Sequence, residues 1–170
     1  SLKELIPLKQ IDTAFFDDVS TVPLGGVTGW LWDFGDGSPL TIGASVSHKY
    51  AVYGTYPITL TSASDNGCLD TANGSVIIHP SPVPDFSTAN VCLYDYAIFT
   101  NLSTIPSGSL PVSVWNFDDG NPPMPGWNMI YQYNSSGSYN VMLAIVSDSG
   151  CADSVVKPIV IHPIPLANFT

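Results

Sequence analysis

The chain has 170 residues, 45% of them hydrophobic and 11% charged, with fourteen acids against four lysines and a formal charge of −10. That balance excludes nucleic acid as a partner, which needs clustered basic residues, and no apolar run approaches the roughly 20 residues of a membrane span. Fourteen glycines, fifteen prolines and an acid set that is aspartate apart from Glu4 disfavour helices and favour turns, so the composition is that of an all-β protein.

The first ten residues, SLKELIPLKQ, do not match the opening of the second repeat and lack the basic and apolar regions of an export signal, so any such signal is expected outside this sequence. From Asp12 on, the chain repeats itself without a gap at an offset of 83 residues: Asp12, Ala14 and Phe16 recur as Asp95, Ala97 and Phe99. The next element runs into WDFGDGSP (32–39), which returns as WNFDDGNP (115–122). Trp32 and Phe34 stand two apart and so share one strand face, which is expected in the core, as is that of Trp115 and Phe117. Gly35 and Gly37 suit a tight turn, and Asp36 can accept hydrogen bonds from it. Asp118 stands in the place of Gly35, which suggests an ordinary backbone conformation there.

HKY (48–50) and GTYPITL (54–60) follow; Tyr50, Gly54, Tyr56 and Leu60 recur as Tyr133, Gly137, Tyr139 and Leu143. SDNGCLD (64–70) pairs with SDSGCAD (147–153), and the joint IHPSP (78–82) with IHPIP (161–165). In the second repeat YAIFTN (96–101), VSVWNF (112–117), SYNVMLAIVSD (138–148) and SVVKPIVIH (154–162) alternate or run apolar between turn residues and read as strands. Pro158 suggests an edge position for the last of them. The closing Ala167-Asn168-Phe169-Thr170 matches Pro84-Asp85-Phe86-Ser87, the opening of repeat two. The expected division is therefore 1–80, 81–163, and 164–170 as a linker and the start of a third repeat.

WDFGDG, HKY and GTYPITL, in that order and spacing, resemble the polycystic kidney disease (PKD) repeat. Asn116, Asp118 and Tyr131 depart from the pattern. The resemblance implies two tandem immunoglobulin-like antiparallel β-sandwiches. The GCxD turns and PxPxxF joints resemble arrays in secreted and cell-surface proteins of Bacteroidetes-type bacteria.

Asp33 and Asp36 read as turn residues, and a calcium site built on them and nearby carbonyls stays open beside that reading, because some PKD domains bind calcium. No other cofactor is implied. An acid–base pair is not expected: no second acidic cluster faces these aspartates, His48 has a structural place in the family pattern, and His79 and His162 recur just before the joints. Serine-elbow, P-loop and zinc spacings are absent, so no enzyme is expected.

Counting makes Cys92–Cys151 a candidate disulfide, with Cys68 left over and Lys9 opposite Cys92. An immunoglobulin-like order puts the pair near opposite ends, which leaves a bridge between neighbouring repeats as the alternative. Asn73, Asn101, Asn134 and Asn168 begin N-glycosylation sequons. Thr13, Thr71 and Ser154 stand in Asp-Ser/Thr-apolar triplets that resemble a Bacteroidetes O-glycosylation signal. Trp30, Trp127 and Tyr53 are aromatic in one repeat only, so they are candidates for a ligand platform or for local core cover.

The expected function is that of a non-enzymatic, extracellular spacer in a surface stalk, filament or adhesin. Its sandwiches would stand end to end, because HPSPVP (79–84) leaves little slack. Its partners would be neighbouring repeats of the same chain and other surface proteins. The rival reading is a polysaccharide- or protein-binding accessory module of a secreted hydrolase.

Overall fold

The computed structural model describes residues 12–169. The unmatched opening, with Lys9, lies outside the described residues, as does Thr170. The chain divides into two units, Ser1–Pro80 and Ser81–Thr170, and no helix occurs among the described residues.

In unit 1 the strands are β1 (Thr13–Asp17), β2 (Val27–Asp33), β3 (Thr41–Ile42), β4 (Ser45–Lys49), β5 (Gly54–Ser64) and β6 (Leu69–Ile78). β1 pairs antiparallel with β4, and the second sheet runs β3-β2-β5-β6. Alternate residues face inward because successive side chains of a strand point to opposite faces. Ala14, Trp32, Phe34, Tyr50, Ile58, Leu60 and Ile78 form the core. A bulge between Val27 and Gly29 shifts the register of β2 against β5.

Unit 2 contains β7 (Phe86–Ser87), β8 (Val91–Cys92), β9 (Tyr96–Asn101), β10 (Val112–Asn116), β11 (Met124–Pro125), β12 (Met129–Gln132), β13 (Gly137–Val146) and β14 (Ala152–His162). Its sheets run β12-β9-β7 and β11-β10-β13-β14-β8. Its core is formed by Phe86, Ala97, Phe99, Trp115, Phe117, Tyr133, Val141, Leu143, Ile145, Ile159 and Ile161. Both motif tryptophans are buried, as their spacing predicts, and each indole donates to the carbonyl of an equivalent glycine, Gly43 at 2.9 Å and Gly126 at 2.8 Å.

β8 pairs with β14 only at Ile161 and His162, in parallel, so Pro158 lies on a stretch of β14 with no strand on its far side among the described residues. The same ladder overturns the Cys92–Cys151 disulfide. Cys92 stands opposite His162, whereas Cys151 precedes Ala152 at the other end of an eleven-residue strand. At ~3.3 Å per residue that is a separation of more than ~30 Å, against the ~7 Å a bridge allows.

Candidate functional site

The WDFGDG turn and the strand that crosses beside it are the one place among the described residues where acids, an imidazole and phenols converge. In unit 1 the Asp33 carboxylate accepts from Gly35 N at 2.9 Å, and Asp36 accepts from Ser38 N at 3.1 Å. The second oxygen of Asp36 meets His48 Nε2 at 2.8 Å. The imidazole stacks on Phe34 at 4.2 Å and meets the Tyr50 ring edge-on. Tyr50 then donates its hydroxyl to Phe34 O at 3.1 Å, which ties strand to turn inside the core.

Unit 2 keeps the geometry with other groups. Asn116 accepts from Asp118 N at 2.9 Å, and Asp119 from Asn121 N at 3.1 Å. Tyr131 replaces His48: it stacks on Phe117 at 3.9 Å and donates to Asp119 Oδ2. Tyr133 donates to Phe117 O at 3.1 Å. A neutral amide therefore does for this turn what the Asp33 carboxylate does in unit 1. The turn needs an acceptor at that place, not a charge.

Burial pushes the Asp36 carboxyl upward, but hydrogen bonds from Ser38 and His48 outweigh it and bring it down to about 2. Asp119 is lowered in the same way: burial raises it, and donation from Tyr131 and Asn121 prevails. Burial raises the Tyr50 phenol to about 12, with the nearby Asp36 charge adding to the effect, and raises Tyr133 further.

For calcium, Asp33 and Asp36 are the candidate ligands, and their oxygens already receive the turn's own donors; no group of three or more His, Cys, Asp or Glu able to hold a metal occurs among the described residues.

The ordinary conformation expected at Gly35 is a correction. Gly35 has φ 70° and Asp118 φ 62°, so both are left-handed. A Cβ on Gly35 would lie 2.1 Å from Pro57 O, whereas in unit 2 Asn140 stands in place of Pro57 and donates its N–H to the Asp118 carboxylate at 2.9 Å. The signal was the paired change at 57 and 140.

The three candidate platform aromatics do not come together. Trp30 is half-buried against the core of unit 1 and donates to Asp18 at 2.6 Å, so it covers a core edge instead of offering a face. Tyr53 is 38% exposed after β4. Trp127 is 45% exposed and lines a hollow of about 280 Å³ with Pro111, Val112, Ser113, Pro125 and Gly126. Thr71 and Ser154 are exposed on β6 and β14, each bonded through its backbone N–H to the preceding aspartate; Thr13 is half-buried in β1. Of the sequon asparagines, Asn101 is buried and accepts from Ser103 N.

The PKD domain family profile matches residues 7–78 and again 79–161. The chain belongs to the PKD domain family. The pre-pro-metalloprotease PrtV of Vibrio cholerae is 26% identical over 132 residues, 77% of this chain and 14% of that protein. A microbial collagenase of Vibrio alginolyticus is 38% identical over 64 residues, 38% of this chain and 8% of that protein. The chain thus spans a small part of the curated relatives it matches. Among solved structures, the PKD1 domain of Vibrio anguillarum Epp aligns with a TM-score of 0.46 at 21% identity, covering 49% of this chain and 96% of that one. The PKD1 domain of PrtV gives 0.45 at 24%, covering 48% and 98%.

Proposed function

We infer that this chain is a non-catalytic, extracellular spacer: two PKD modules that hold other parts of a larger protein apart. The observation that carries the reading is the shortness of the joint. β6 ends at Ile78, and Val83 is already paired with Thr104, so the connection is residues 79–82, of which Pro80 and Pro82 have fixed φ. A proline-restricted link of this length favours an extended, semi-rigid arrangement. The motif residues support the same reading, because their polar atoms hold their own turns.

The test is small-angle scattering on the wild-type chain and on the Pro80→Gly/Pro82→Gly variant. The longest strands have eleven residues, or ~35 Å, so end-to-end modules should give a maximum dimension of ~70 Å or more, loosened in the variant without loss of either core. A wild-type dimension close to that of one module would overturn the spacer.

A second reading has one observation in its favour. Trp127 keeps its exposed face beside Pro111 and Pro125, and the relatives named above are a metalloprotease and a collagenase, so an accessory module that grips polysaccharide or protein for a hydrolase would place its contact there. Binding on a glycan array that Trp127→Ala abolishes would favour it.

A further inference from the structure

The outer face of the five-stranded sheet in unit 2 is apolar where the fold does not require it. Buried and solvent-side residues alternate along β10, β13 and β14, so Val112, Val114, Met142, Ala144, Val146 and Val156 share the outer side. The ladder sets Asn116, Met142 and Val156 in one row and Val114, Ala144 and Ser154 in the next, which Pro125 of β11 extends. None of these residues is charged. Val112 and Val156 are 44% and 56% exposed, so the face is open among the described residues. The hollow beside Trp127 lies at its margin and shares Val112 and Pro125 with it.

Unit 1 has the same ladder without that face. Its rows are Asp33, Thr59 and Asn73, then Leu31, Thr61 and Thr71, at the places that unit 2 gives to Asn116, Met142 and Val156, then Val114, Ala144 and Ser154. Both units keep their inward tryptophan and leucine. In unit 1 Thr59 Oγ1 donates to Asn73 Oδ1 at 2.9 Å across the strands, where unit 2 sets Met142 beside Val156. Side chains that point into water are free to be polar, and a contiguous apolar patch on the surface of a folded chain marks a contact.

Three properties name the occupant. A flat aliphatic sheet face packs well on another, as the two sheets of a sandwich do at ~10 Å. The chain carries a formal charge of −10, so copies repel one another, and this face presents no carboxylate to a second copy. Its four strands cover ~450 Å², so two such faces in contact bury ~1,000 Å², the lower limit of a specific interface.

We propose that this face of unit 2 binds the same face of a second copy, sheet on sheet across a two-fold axis, with Met142 and Val156 at its centre. The contact is isologous, so it closes at two copies. At that size it is weak and reversible. Pairing of this kind is independent of the spacer reading, since a rod and a binding module can both associate through it.

Sedimentation equilibrium of the full chain tests the pairing. Reversible dimerisation is expected, with a dissociation constant of ~1 mM or tighter. Salt should strengthen it, because screening reduces the repulsion between acidic copies. Met142→Thr/Val156→Asn, which installs the residues unit 1 carries at these places, should weaken it at least tenfold with an unchanged thermal midpoint. Ile98→Thr, on the exposed outer side of β9, should leave it as it was. In amide spectra of the wild-type chain, dilution should shift residues of β10, β13 and β14 and not those of β2, β5 and β6, a readout that survives if the double variant is unstable. A chain monomeric up to ~1 mM would overturn the proposal and leave the face to a different occupant, such as an added strand or a polymer. So would association that the double variant keeps, that Ile98→Thr removes or that salt abolishes, or shifts confined to other strands.

Discussion

Pro57 and Asn140 occupy the same register of their ladders, and each is matched to the residue that faces it across the turn. Pro57 has no N–H to offer and approaches Gly35; Asn140 has one and gives it to the Asp118 carboxylate. Gly35→Asp should therefore destabilise unit 1 by ~2 kcal/mol or more, from left-handed strain and the contact with Pro57. Adding Pro57→Asn should return part of that, with a coupling of ~1 kcal/mol or more in a double-mutant cycle by chemical denaturation. Strict additivity would refute the pairing. Asp36 makes a second prediction. Its carboxyl titrates at about 2 in the folded chain against an ordinary 3.8, so folding favours the ionised form. That stabilisation is present above pH ~4 and drains away as pH falls toward 2. The thermal midpoint of unit 1 should drop across that window, and Asp36→Asn should flatten the drop; an unchanged slope would remove Asp36 as its source.

At the scale of strands, one buried phenol in each unit, Tyr50 or Tyr133, fastens the crossing strand to its turn. Tyr133→Phe leaves Phe117 O without its 3.1 Å donor inside the core and should cost ~1–3 kcal/mol, read as a lower denaturation midpoint with unchanged slope. Much of this level was legible. Period-two alternation and the repeated Trp-x-Phe and Tyr-x-x-x-Gly-x-Tyr spacings mark the inward face, because burial on one side forces alternation on any strand. Three things were not. β8 has two residues and no periodicity, so its parallel pairing with β14 was invisible. Trp30 stayed open between a ligand platform and local core cover because its anchor, Asp18, lies twelve residues back with no spacing rule to join them. Gly35 was misread because a side chain does not reveal φ, and the compensating change sat at a residue distant in sequence.

At the scale of the whole molecule, composition and fold meet in the placement of the lysines. Apart from Lys3 and Lys9, the chain has Lys49 in β4 and Lys157 in β14, and no arginine at all. Lys49 is paired opposite Thr13, while Lys157 is held by Asp85 and followed by Pro158, whose ring obstructs hydrolysis of the bond before it. Every loop after Lys49, and the proline joint, is free of lysine and arginine. Among the described residues, a protease that cuts after lysine or arginine thus finds no exposed bond in a turn, and at Lys49 it must wait for β4 to detach. Digestion with trypsin should leave residues 50–170 as one fragment, released at a rate that rises with mild denaturant because it follows strand opening. Pro80→Lys puts a cleavable bond, before Ser81, in the joint and should be cut there far faster. Equal rates at Lys49 and at an engineered lysine would mean that β4 offers no shelter. Resistance to digestion here comes as much from where basic residues are missing as from how tightly the strands are held.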